Sequence, residues 1–151
     1  MHVIVSTDGS VQSLEAARHL KSFADPGRIS DVTVVAVISP FAAVPFVNEL
    51  GGSLRAADPT MLSFREEAEA ATEAVAEEFA DWGVRVQRQV RSGSPAIQLV
   101  EAATELRAGL LVLASGGRGL SGSVLLGSTA QRVQHSAPCP VLVARSVPRR
   151  D

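Results

Sequence analysis

Apolar positions along this 151-residue chain recur with two different periods. Five short runs over residues 2–6, 32–38, 84–90, 110–114 and 141–144 read as strands, and the stretches between them place apolar residues every three or four positions, as helices do. After the first run, Asp8-Gly9-Ser10 breaks the strand and supplies a helix cap. The helix that follows carries Ala16, Ala17, Leu20, Phe23 and Ala24 on one side and is ended by Asp25-Pro26-Gly27. The run 32–38 is β-branched and apolar at nearly every position, the pattern of a parallel strand covered on both faces. Residues 40–59 form a long, apolar, poorly periodic connection, a length that points to a functional loop.

The next helix has Phe64, Ala68, Ala71, Val75, Phe79 and Trp82 as a core-facing stripe and Glu66, Glu67, Glu73, Glu77 and Glu78 as a solvated face, until Gly83 stops it. Residues 84–90 alternate apolar and polar, as a half-exposed edge strand does. Ser94-Pro95 reads as an N-cap followed by proline at the first helical position, ahead of Leu99, Ala102, Ala103 and Leu106. A fourth strand, a glycine-rich loop, a short helix from about Ser128 and a last strand complete the chain. The order β-α-β-loop-α-β-α-β-α-β predicts one α/β domain over residues 1–147, with a frayed tail at 148–151. It is expected to be a five-stranded parallel sheet, Rossmann-like, with helices on both faces and strand order 3-2-1-4-5. Ligands of such sheets bind at the carboxyl ends of the strands, so the loops after strands one and four should face one another.

Composition narrows the classes. With 46% hydrophobic and 20% charged residues the chain is a globular one. A net charge of −2 argues against a general nucleic-acid or anionic-membrane binder. No apolar run approaches the ~20 residues of a membrane span. The start MHVIVSTDGS has no basic segment or cleavable apolar stretch, so a cytoplasmic location is expected. A single cysteine, Cys139, leaves no intrachain disulfide and no cysteine metal cluster; between two prolines it reads as a small core filler.

The candidate chemistry lies in ASGGRGLSGSVLLGSTAQRV, residues 114–133. Glycines let a backbone approach a ligand, and the free N–H groups of the helix behind them attract an anion. No G-x-x-x-x-G-K-[ST] is present, so a P-loop is excluded. Gly117-Arg118-Gly119-Leu120-Ser121-Gly122 fits G-x-G-x-x-G, but it follows the fourth strand and lacks the acidic residue expected about 20 positions on. Ser115-Gly116-Gly117 is similar to the start of a pyrophosphatase loop, which normally follows a first strand. Gly119 to Ser123 falls one glycine short of a nucleophile elbow. His2, His19 and His135 fall in a strand start, a helix and a helix end, with no reason to form a triad, so no catalytic residue is expected.

What remains is the spacing G-x9-G-[ST] from Gly117 to Gly127-Ser128. With VIVSTDGS at the start, SGSPAIQLVEAATELRAGLLVLAS in the middle and GSTAQRVQHSAPCPVLVAR near the end, the chain resembles the universal stress protein family, in its ATP-binding branch. The resemblance spans nearly the whole chain apart from residues 40–59. It implies that Asp8 approaches the ribose or adenine end, that the backbone around Ser6 and Thr7 flanks the base, and that Val37 contacts adenine. It places Leu113 and Ala114 at the end of the fourth strand beside the ligand. Gly117 and Gly127 would let the backbone reach the phosphates, to which Ser128 and Thr129 would donate; Arg118 would pair with a phosphate or lie in solvent.

Two positions depart from the family pattern. Ala114 stands where the loop's first glycine is usual, adding a methyl group beside the ligand path, and Gly109 stands where an aspartate is usual. Simpler roles compete at two others: Ser128-Thr129-Ala130-Gln131 is also a capping box, and Asp8 could serve only its turn. The resemblance implies an ATP-binding stress-response protein, with or without Mg, acting as a nucleotide-gated regulator and at most a slow ATPase. It also implies a homodimer paired through the last strand, whose apolar edge would otherwise be a pairing hazard. The alternatives are a protein-interaction module on the same fold that binds no nucleotide, and a hydrolase or nucleotidyl-transfer enzyme using the same pocket.

Overall fold

The computed structural model describes residues 1–39, 61–116 and 127–145, with side chains from residue 64 onward in the second of these. Within them β1 (His2–Thr7), α1 (Val11–Phe23), β2 (Asp31–Ile38), α2 (Met61–Glu77), β3 (Arg85–Ser92), α3 (Pro95–Glu105), β4 (Leu110–Ala114), α4 (Ser128–Ser136) and β5 (Val141–Ala144) alternate along the chain. All strands are parallel, in the order β3-β2-β1-β4-β5. This is the predicted topology. The connection at residues 40–59 and the tail at 148–151 lie outside the described residues.

Each central strand serves two cores. Val3 and Val5 of β1, with Val32, Val34 and Val112, pack under α1 and the end of α2, against Leu20, Val75 and Phe79. Ile4, Val35, Leu111 and Leu113 face the other way, onto Leu99, Ala102 and Ala103 of α3 and Ala130 and Val133 of α4. Burial on both faces is why the run 32–38 shows no alternation. β3, at the sheet edge, is half-exposed along its length. It carries Arg85, Arg88 and Arg91, whose side chains reach Asp31 at 3.4 Å, Glu73 at 3.9 Å and Glu105 at 3.0 Å. Charges on an edge strand discourage further pairing.

The helical stripe of α2 ends differently from its periodicity. The helix stops at Glu77, and Phe79 and Trp82 sit in a tightened turn whose N–H groups bond three residues back, to Ala76 and Phe79. Both rings still reach the core, with centroids 5.3 Å apart and Phe79 fully buried. Nor is the acidic face merely solvated. Glu78 accepts from Nε and Nη2 of Arg18 at 3.0 and 2.8 Å, and Lys21 donates to the Glu78 carbonyl and to Asp81, mooring α1 to this turn. The Lys21 ammonium holds the Asp81 carboxyl below its usual range.

Among the described residues no helix is long and apolar enough to cross a membrane. Among the described residues Phe79 is the largest fully buried side chain. Phe79→Ala is expected to lower unfolding free energy by about 3–5 kcal/mol in urea titrations. Phe23→Ala, at a 61% exposed position, should change it by less than about 0.5 kcal/mol.

Candidate functional site

The chain leaves β1 toward α1 on one face and leaves β4 toward α4 on the other. Because β1 and β4 are neighbours, the winding reverses between them and opens a crevice at their carboxyl ends. The predicted residues Thr7, Asp8, Ala114, Gly127, Ser128 and Thr129 all belong to this edge, with Val37 and Leu113 in the adjoining strands. Gly117 and Arg118 lie outside the described residues.

On the β1 side the turn is built from hydroxyls. Thr7 is 3% exposed; its Oγ1 bonds to Ser13 Oγ at 2.8 Å and accepts the Gly9 N–H at 3.1 Å. Thr7 therefore keeps its side chain inside the turn. Gly9 has φ +80°, which a residue with a side chain adopts only with strain. That conformation lets Asp8 Oδ1 accept from both the N–H and the Oγ of Ser10, while Ser10 Oγ caps α1 by accepting from Ser13 N. Asp8 itself stays exposed, held at the crevice mouth.

On the β4 side the approach is closer. The Gly127 N–H donates to the Ser115 carbonyl at 2.6 Å, while Ser115 N–H donates to the Ala144 carbonyl at 2.8 Å. A Cβ on Gly127 would stand 3.1 Å from the Ser115 oxygen and 3.4 Å from Gly116 Cα. Its φ of −62° is ordinary, so close approach, not backbone freedom, is what requires glycine here. Gly127 is also the N-cap of α4, and as a glycine it brings no side chain to that cap. The competing role of Ser128 as a capping-box residue finds no support here: Gly127 holds the cap position and Ser128 is the first helical residue. Ser128 is exposed and Thr129 half-buried at the helix start.

Ala114 pairs with Ala144, and its methyl packs against the cluster beneath α1. Gly109 sits at the opposite, amino edge; its N–H donates to the His2 carbonyl at 2.8 Å, and a Cβ there would meet the Met1 side chain at 3.1 Å. Leu113 is 4% exposed inside the α3–α4 core, and Val37 packs at the margin of that core. Ser6 is half-buried in β1.

Sequence reasoning missed Ser13, read Gly9 and Ser10 only as a turn and cap, and took Ser115 and Gly116 only as part of the glycine-rich loop. Their signals were the Ser-Gly pair closing β4 and the Asp-Gly-Ser turn closing β1. The histidines are not brought together: His2 bonds Thr33 Oγ1 at 2.7 Å, His19 stacks edge-on against Phe23, and His135 is exposed in the last turn of α4. Cys139 is half-buried among residues of the α3–α4 core, and burial raises its thiol pKa. Among the described residues no group of three or more His, Cys, Asp or Glu side chains could hold a metal ion. A groove of about 690 Å³ lies elsewhere, between α2 and β3, lined by residues that include Arg65, Glu69, Glu73 and Arg88.

Residues 1–145 match the model of the universal stress protein family. A universal stress protein of Methanocaldococcus jannaschii is 34% identical over 147 residues, covering 95% of this chain and 81% of that protein. Two solved structures share the fold. A universal stress protein in complex with cAMP is 24% identical at a TM-score of 0.63, covering 97% of this chain and 98% of its own. An Arabidopsis thaliana family protein with AMP bound is 16% identical at 0.65, covering 98% and 93%.

The tight contact at Gly127 makes a stability prediction. Gly127→Val should force Ser115 and the start of α4 apart and cost about 1–3 kcal/mol in urea unfolding. An unchanged midpoint would show that this corner yields freely.

Proposed function

We propose that this chain, which belongs to the universal stress protein family, binds an adenine nucleotide across the β1–β4 crevice and acts as a nucleotide-gated regulator. The observation that carries this reading is the α4 start. Its cap residue is a glycine with no side chain to satisfy the first-turn N–H groups, and it is tied by a backbone hydrogen bond to the exit of β4. Such an end offers an array of N–H donors and the positive pole of the helix to a phosphate. Ser128 and Thr129 add hydroxyls at the same place. Asp8, held by Ser10 on the opposite lip, is an acceptor suited to ribose hydroxyls. Val37 offers an apolar surface to a base. Gly117 and Arg118 complete the phosphate side in this reading. The cAMP and AMP complexes of family members on the same fold support adenine nucleotide as the ligand class.

ATP is the preferred form in this reading, with any Mg carried in on its phosphates. Asp8, the carboxylate described at the crevice, stands on the β1 lip opposite the α4 start, so in this reading hydrolysis is slow and the bound state itself is the signal. The Ala114 methyl packs against the cluster under α1, which answers the steric objection that its departure from glycine raised.

Dimerisation through β5 completes the proposal. The Pro140 and Ala144 carbonyls accept from Leu111 and Ser115 of the β4 side. Residues of the other parity, Val141 and Val143, therefore turn their N–H and C=O groups to the open edge. Val141, Leu142 and Val143 are all only half-buried there.

Denatured protein should release adenine nucleotide detectable by mass spectrometry, and stripped protein should rebind ATP in calorimetry. Gly127→Val should abolish rebinding. No release and no heat at millimolar ATP would end the nucleotide reading. In light scattering the chain should run at twice its monomer mass, and Val143→Pro, which deletes an outward N–H, should run as a monomer. A monomeric wild type removes the β5 pairing.

A further inference from the structure

One partly buried charged cluster has no part in the crevice as described. Arg91 is the penultimate residue of edge strand β3, and its register partner is Val37 of β2. Edge-strand arginines ordinarily reach into solvent, yet this side chain is only 18% exposed. Nη1 and Nη2 fork onto the two oxygens of Glu105 at 3.0 and 3.1 Å, and Nε donates to Gln98 Oε1 at 3.0 Å. Gln98 Nε2 donates in turn to Glu101 Oε2 at 3.1 Å, which lies 3.8 Å from Arg91 Nη2. Gln98, Glu101 and Glu105 are spaced by three and four residues, so they line one flank of α3. A two-oxygen fork on a planar guanidinium fixes orientation as well as distance. The same contact holds the Glu105 carboxyl below its usual range.

The cluster also reaches the carboxyl edge. Gly93, two residues past Arg91, donates its N–H to the Ile38 carbonyl at 2.9 Å, next along the chain from Val37. Gly93 has φ +137°, and a Cβ there would meet Gln98 at 3.1 Å. Ala96 and Leu99, in the first turns of α3, are buried in the cluster against which Val37 packs. The exit of β2, the Gly93 turn, Gln98 and Arg91 thus form a closed circuit of contacts around Val37.

We infer that Arg91 is a positioning residue for the base end of the site: by mooring α3 through Gln98, Glu101 and Glu105 it fixes the first turn of that helix against Val37, and so sets the wall that distinguishes adenine from other bases. The inference rests on the adenine-nucleotide reading. Side chains that support a binding surface need to hold it to within about 0.5 Å, so loosening α3 should degrade base recognition and leave phosphate recognition intact.

The test is calorimetry on the full chain, stripped of nucleotide, with ATP, GTP and inorganic tripolyphosphate as ligands. Wild type should prefer ATP to GTP. Arg91→Ala should weaken ATP by about tenfold and shrink the ATP-to-GTP ratio, with tripolyphosphate unchanged. Arg91→Lys, which keeps the charge but loses the fork, should fall between. Glu105→Gln should move the ratio in the same direction and carries the test if Arg91→Ala does not fold. Arg85→Ala, at the far end of β3, should match wild type. An unchanged ratio in the Arg91 and Glu105 variants overturns the inference, as does an equal loss for all three ligands, which marks a merely structural role. Wild type that fails to bind ATP removes the underlying reading instead.

Discussion

Two parallel strands cannot be joined by a tight turn; the chain must cross back over the sheet before the next strand begins. The rest of this molecule depends on that constraint. Every crossover here is helical, so every strand exit and every helix start collects at one edge of the sheet. Helices on both faces then demand strands that are apolar throughout, which Val32, Val34 and Val35 satisfy at full burial. The reversal of winding between β1 and β4 follows from the strand order. It separates α1 from α4 at the point where both begin, and the crevice results from topology before any side chain is chosen.

Local chemistry then makes the two lips different. The β1 lip is held by side chains, with Thr7, Ser10 and Ser13 exchanging hydroxyl hydrogen bonds under Gly9. The β4 lip is held by backbone, through Gly127 and Ser115, with no side chain at the cap. One lip is thereby presented as an acceptor, the Asp8 carboxylate, and the other as donors, the first-turn N–H groups of α4. A ligand with hydroxyls at one end and phosphate at the other matches that polarity.

The strand order, and with it the meeting of the β1 and β4 exits at one edge, was legible in the sequence because periodicity and crossover rules act on many residues at once. Features set by single contacts were not. The stripe from Phe64 to Trp82 gave the right core face but the wrong helix end, because a three-residue turn and a helix place Phe79 and Trp82 on the same side. Ser128 stayed open between cap and phosphate donor because S-x-x-Q is also a capping pattern; that Gly127 is the cap shows only in its carbonyl accepting the Gln131 N–H, while its own N–H reaches Ser115, 12 residues away. The departure at Ala114 could not be weighed without knowing that its methyl faces the α1 core. Arg91 carried no motif at all, since its meaning lies in three α3 residues of another element.

The two borders of the sheet differ in a way that bears on assembly. β3 presents three arginines engaged with carboxylates, whereas β5 presents Val-Leu-Val-Ala. A sheet with two bare borders can add copies of itself indefinitely, each new molecule offering another place to grow. With one border guarded, a twofold contact between identical β5 strands uses the open border of both copies at once, and the product has nowhere further to extend. If the proposed β5 pairing forms, the arrangement of charge along β3 makes it a step that terminates, and separates a finite pair from a fibre.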